Sequence, residues 1–230
     1  MSSRWRHWPA AVAATYCILV IGGLVIAPAP PAIDSTPMGV SNYYRGESDS
    51  IRTVVWLIAV SLLPLAVLMS TVRERLAGIG RDVFLLGVAS FMAATTIELW
   101  FDAGLSAHAG TTPPDTLTVL AGIAAYFTPT LTVADLLMAV PVAMAALRIR
   151  IFPRWYGYLS IAFAIEQAVE TLTITGRHGF AAAGGTMNYT LGAGLFLIWV
   201  AATGFACTSA PPLSARVSSP GSRIEAGPLS

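Results

Sequence analysis

VFLLGVASFMAATTIELWFDAG, residues 83–104, is the stretch that decides the fold. Its length suits the roughly 20 helical residues that cross a hydrocarbon core. Its only charged side chains are Glu98 and Asp102. A helix apolar on every face is solvated by lipid or by protein, not by water. The same stretch also poses the functional question, because two carboxylates one helical turn apart are costly in hydrocarbon.

Outward from residues 83–104 the pattern recurs. Six segments are apolar enough to be read as spans: 9–28, 53–71, 82–104, 120–147, 155–176 and 189–208. Helix is the expected conformation, since a backbone in lipid must satisfy its own polar groups. The alternating pattern of a membrane barrel is absent. The whole chain agrees: of 230 residues 55% are hydrophobic and 11% charged, against roughly 25% charged in soluble domains. Mean hydropathy is +0.69. A net charge of +1 with no basic face excludes a nucleic-acid partner. The fold class read from these features is all-α, a polytopic transmembrane helical bundle whose partner is the lipid bilayer.

Arginine placement orients the bundle. With the N-terminus in the cytoplasm, Arg4, Arg6, Arg73, Arg75, Arg81, Arg148, Arg150, Arg154, Arg216 and Arg223 fall inside, and Arg45, Arg52 and Arg177 outside. Six spans with both termini cytoplasmic follow. Trp5, Trp8, Trp155, Tyr156 and Tyr158 form the expected inner aromatic belt; Tyr43, Tyr44, Trp56, Trp100 and Tyr189 lie near the outer one. All 13 basic residues are Arg, the bias of a GC-rich bacterium, which places the chain in a bacterial inner membrane.

SRWRHW, an apolar stretch and APAPPA also fit a secretory signal with a cleavage site at Ala27–Ala29. Pro30 directly after that site favours a retained anchor. The polar, Pro-rich 29–52 connection reads as an external loop, and the Pro/Ser/Gly-rich tail 209–230 as disordered and cytoplasmic. Pro129 and Pro141 are expected to kink or break the long fourth segment. Cys17 and Cys207 stand in the first and last spans without redox or metal spacing, as two buried thiols.

Residues 63–104 and 140–176 share an order of features. Each has a Pro (Pro64, Pro141), an R-x-R (Arg73 and Arg75; Arg148 and Arg150) and a helix-opening Arg (Arg81, Arg154). A Phe (Phe91, Phe163), a Glu (Glu98, Glu170) and a Gly (Gly104, Gly176) follow at equal spacing. This reads either as a parallel repeat, as in several transporter folds, or as two similar hairpins.

Helical rise puts Glu98 and Glu170 roughly 22–24 Å above the cytoplasmic start of their spans, Asp135 about 20 Å and Glu166 about 17 Å. Four acids thus share one band, with Asp102 a turn higher. No Lys or Arg lies within the spans beside them. A protonated carboxylic acid beside an ionised one is an acid–base couple, so Glu98, Glu170, Asp135 and Glu166 are the candidate catalytic residues. Asp102, Trp100, Gln167, Asn188 and Trp199 are candidate substrate contacts, Trp199 as a stacking face. Thr95, Thr96, Thr128, Thr132 and Thr171 are placed to line the same site. The plainer alternative is that such groups only join helices by hydrogen bonds. His108 and His178, with Asp102 or Asp115, lack metal-ligand spacing and read as loop histidines.

The stretch FPRWYGYLSIAFAI (Phe152–Ile165) and the R-x-R turns resemble small six-span membrane proteins of actinobacterial type. That resemblance implies topology and no activity. IELWFDAG (Ile97–Gly104), with TITGRHGF (Thr173–Phe180) and MNYT (Met187–Thr190), is similar to emopamil-binding and sterol-isomerase-like membrane proteins. The similarity implies a lipid-accessible bundle acting on sterols by proton transfer. Ala94 stands where that family has a His one turn before the Glu, so only Glu98 carries over, as an acid.

The leading expectation is an isomerase or proton-initiated cyclase acting on an isoprenoid or sterol-like lipid. Glu98 and Glu170 would donate and accept the proton, and no cofactor or metal motif is visible. The alternatives are a proton-coupled transporter or exporter, which at this size would pair as a homodimer, and a non-catalytic membrane subunit or scaffold.

Overall fold

The computed structural model describes residues 7–31, 33–176 and 179–209. The expectations for Trp5, Arg4, Arg6, Arg177, His178, Arg216, Arg223 and the tail from residue 210 onward lie outside the described residues.

Every regular element among the described residues is helical. The helices are α1 (Trp8–Ile26), α2 (Pro37–Gly46), α3 (Ser48–Arg75), α4 (Gly78–His108), α5 (Pro114–Ala125), α6 (Phe127–Met144), α7 (Arg154–Glu170) and α8 (Ala193–Ser209). A π-helical turn, Ala145–Ile149, extends α6; a second, Met187–Gly192, leads into α8; a 3-10 turn, Thr171–Thr175, continues α7. Five helical stretches are long and apolar enough to cross a membrane: Trp8–Ile26, Ser48–Arg75, Gly78–His108, Pro114–Ile149 and Met187–Ser209. α7, at 17 residues, is shorter than these.

The helices pack largely in chain order. α1 lies on α3, α3 on α4, α4 on α6 and α6 on α7, and α8 returns to α1. At the α4–α6 crossing Gly87 comes so close that a Cβ there would sit 2.9 Å from the Ala134 carbonyl. Small residues at such crossings are how helices approach when lipid offers no hydrophobic drive between them. The interior holds a stack of aromatic rings. Phe91 and Phe196 lie 4.8 Å apart, and Phe163 and Trp199 5.5 Å apart, by ring centroid. Outside, Leu63, Trp100, Ile123 and Phe205 are among many large apolar side chains left exposed. A bundle that is apolar both inside and outside is matched to a bilayer, not to water.

Three boundaries differ from expectation. The 29–52 connection is not a loop throughout. Thr36 caps α2, its hydroxyl accepting from the Gly39 N–H at 3.2 Å with Pro37 opening the helix, and α3 starts at Ser48. The long fourth segment breaks at Tyr126, before Pro129, so that α5 and α6 are separate helices. Pro141 is accommodated inside α6, and the irregular turn comes after it, at Ala145–Ile149. The two featurally similar stretches become the hairpins α3–α4 and α6–α7, with Pro64 and Pro141 inside their first helices.

Candidate functional site

Glu98 and Asp102 stand on α4, Asp135 on α6, Glu170 at the end of α7 and Asn188 in the π-turn before α8. All five line one cavity of about 490 Å³, within the range of small-molecule sites. The helical spacing of Glu98 and Asp102 explains their shared face. The remainder is tertiary: α6 and α7 pack together and carry Asp135 and Glu170 to the same interior. No Lys, Arg or His contributes to the lining among the described residues. Much of the wall is apolar, including Phe91, Leu131 and Phe196.

Glu170 is the most firmly held of the acids. It is 2% exposed. Gln167 donates from Nε2 to Glu170 Oε2 at 2.9 Å, and Asn188 donates from Nδ2 to Oε1 at 2.6 Å. Asn188 Nδ2 also lies 3.1 Å from Thr173 Oγ1. Both carboxyl oxygens therefore accept an amide proton, which suits the ionised, acceptor-only form. Gly192 makes room for this group: a Cβ there would collide with the Glu170 carboxylate.

The other acids are differently placed. Asp135 is 5% exposed, and its Oδ1 has no hydrogen-bond partner. Glu98 and Asp102 are half-buried and make no hydrogen bond among the described residues. Thr95 Oγ1 and Asn188 Oδ1 are likewise buried and unpartnered, and both residues line the cavity. Three orphaned polar atoms thus belong to residues of one apolar-walled space. Unpaired buried polar groups are few in folded proteins, and each calls for an explanation.

One end of the cavity is formed by the extended Ala27–Pro31 strap after α1 and by Tyr43 and Tyr44 of α2. Tyr43 donates its phenolic proton to the Pro28 carbonyl at 3.0 Å. Burial, and then the Asp102 and Glu47 carboxylates, push the Tyr43 phenol up to about 12. The Tyr44 phenol is pushed up by burial and by Asp102 as well. Both are therefore neutral hydrogen-bonding groups at ordinary pH. α2 is tied down by Arg45, whose Nε donates to the Ala109 carbonyl at 2.9 Å.

Not all candidates meet there. Glu166 accepts from Gln167 Nε2 at 2.8 Å and is half-buried, outside the cavity lining. Trp100 is 72% exposed on the outer face of α4. Trp199 is fully buried in the aromatic stack, its Nε1 donating to Ser160 Oγ at 3.0 Å. Neither tryptophan reaches the cavity; the rings that do include Phe91, Tyr16, Tyr43 and Tyr189. Thr95 and Thr128 line it. Thr132 and Thr171 instead share a 3.0 Å hydrogen bond that ties α6 to the end of α7, and Thr96 bonds the Met92 carbonyl on an exposed face. Among the described residues no three His, Cys, Asp or Glu side chains are grouped to hold a metal.

Sequence reasoning missed the strap and α2 as parts of the site. The signal was present in Thr36–Pro37, a cap followed by a helix-opening proline, one helical turn before NYY (Asn42–Tyr44).

The arrangement is that of a multi-pass helical membrane protein with an acid-lined interior cavity. No family model, no curated protein and no solved structure matches the chain.

Proposed function

We propose that this protein is an intramembrane acid–base catalyst acting on an isoprenoid or sterol-like lipid. In this reading it has six spans, both termini are cytoplasmic and it resides in a bacterial inner membrane. The observation that carries the reading is the gathering of Glu98, Asp102, Asp135 and Glu170 around one apolar-walled cavity to which no basic side chain among the described residues contributes.

The chemistry follows from the unequal hydrogen bonding. Glu170, accepting from two amides, is the base. Glu98, which accepts from no donor among the described residues, is the acid. In an alkene isomerisation Glu98 delivers its proton to one carbon of the double bond. Glu170 removes a proton from the carbon adjacent to the resulting cation, and the double bond shifts. One proton is gained and one is lost, with no change of oxidation state. Asp135, lining the same space, relays the proton back to Glu98. The orphaned Asp135 Oδ1, Thr95 Oγ1 and Asn188 Oδ1 favour a substrate that brings a hydroxyl donor on its apolar body. α1 supplies Tyr16 and Gly23 to the wall, which supports a retained first helix.

A second reading, proton-coupled transport, is favoured by the reach of the cavity from Asp135 to the Ala27–Pro31 strap. One experiment separates the two. Wild type, Glu98→Gln and Glu170→Gln are reconstituted in vesicles containing isoprenoid and sterol lipids, in heavy water. Catalysis places deuterium in a lipid carbon skeleton in the wild type only. Proton flux without lipid labelling means transport, and neither signal in the wild type overturns both readings in favour of a scaffold.

A further inference from the structure

A second concavity, of about 500 Å³, lies between α6 with its π-turn and α7, away from the acid-lined cavity. Val140 and Leu147 form one wall, and Ile161, Ala164 and Ile165 the other. A single charged residue lines it, Arg148, carried on the π-turn. Such turns recur where a helix is reshaped for a function.

Arg148 is exposed and makes no ion pair or hydrogen bond among the described residues. Helical spacing continues the α7 wall toward the same end. Arg154 and Tyr158 fall on the stripe of Ile161 and Ile165, and both are exposed. Arg154 likewise has no carboxylate partner among the described residues. The groove is therefore amphiphilic, with apolar walls, the Arg148 guanidinium in its lining and Arg154 placed by helical spacing beyond the α7 wall at the same end, neither with a carboxylate partner among the described residues. A free carboxylate on the protein would have satisfied them; a membrane phosphate does so equally well, and basic pockets between helices are where anionic headgroups bind.

We propose that this groove is a binding site for an anionic phospholipid of the surrounding bilayer. One acyl chain lies along the α6–α7 walls, and the phosphate sits between Arg148 and Arg154. The proposal is independent of the chemistry assigned to the acid-lined cavity.

The test uses the full chain in neutral detergent, with native mass spectrometry and thermal unfolding. The probes are phosphatidylglycerol and phosphatidylcholine of identical acyl chains. Wild type should retain phosphatidylglycerol with a roughly tenfold preference and unfold at higher temperature in its presence. Arg148→Ala with Arg154→Ala should bring the two lipids to near parity. Arg148→Lys with Arg154→Lys should keep part of the preference. Ala164→Trp, which fills the groove, should lose retention of both lipids while leaving the far-ultraviolet helical signal unchanged. Equal retention of the two lipids by wild type, a preference unaffected by the alanine pair, or a second copy of the chain on this face would each overturn the proposal.

Discussion

Glu170 shows why a single side chain here answers to more than its own burial. Its two oxygens face two amide donors, so removing one acceptor leaves one donor aimed at another donor. Glu170→Gln is therefore expected to lose about 1–3 kcal/mol of stability. Asp135→Asn, whose Oδ1 is already unpartnered, should cost less than Glu170→Gln. Thermal unfolding of the two variants side by side checks this order; equal losses would mean that the amide pair does not hold Glu170. Tyr43 gives a second expectation at this scale. Its phenol titrates near 12 against an ordinary 10.0. A raised value means that the folded state holds the proton longer. The preference of the fold for the neutral phenol, set by burial and then by Asp102 and Glu47, is therefore complete below pH 10 and is lost as pH rises toward 12. The phenolate absorbance of wild type minus Tyr43→Phe should show a titration near 12; a step at 10 would place Tyr43 in water.

At the scale of the element, the irregular turns position the site. The π-turn Met187–Gly192 brings Asn188 onto Glu170, and its last residue, Gly192, leaves space for the carboxylate. Gly192→Ala should push Glu170 off both amides at a cost of roughly 1–3 kcal/mol. Gly194→Ala, where an added Cβ meets open space, should be nearly neutral. Comparable unfolding temperatures for the two variants would contradict this packing. These turns were not legible in the sequence. Hydropathy reports that a stretch is buried in lipid or protein, and π and α turns share one composition. Five of the six expected spans were legible as long apolar helices because lipid imposes length and apolarity on every crossing. Glu98 and Asp102 could be paired because four residues is local spacing. The meeting of α4, α6 and α7 at one cavity was expected only from equal depth, which cannot say which face each helix turns inward. That is why Trp100 and Trp199 stand outside the cavity, one on the exposed face of α4 and one in the aromatic core.

At the scale of the molecule the remaining variable is how many times the chain crosses. α7 has 17 residues, about 25 Å at 1.5 Å per residue, short of a core about 30 Å thick. The 3-10 turn Thr171–Thr175 that continues it rises about 2 Å per residue and adds about 10 Å. In the proposed six-span topology this narrower helix would bring the α7 composite to the length of a crossing. Five stretches already have the length and apolarity to cross; the proposed six-span topology counts the α7 composite as the sixth. In that proposed topology both ends would return to one side, the side on which the arginine bias puts the cytoplasm. Cys17 and Cys207 are the native thiols, so Cys17→Ala with Cys207→Ala gives a background without thiols. In it, His7→Cys and Ser209→Cys should be shielded from a membrane-impermeant maleimide added outside intact cells, while Ser35→Cys, beside the α2 cap, should label. Labelling Ser209→Cys but not His7→Cys would mean that α7 turns back within the membrane. Glu170 would then sit on a re-entrant segment.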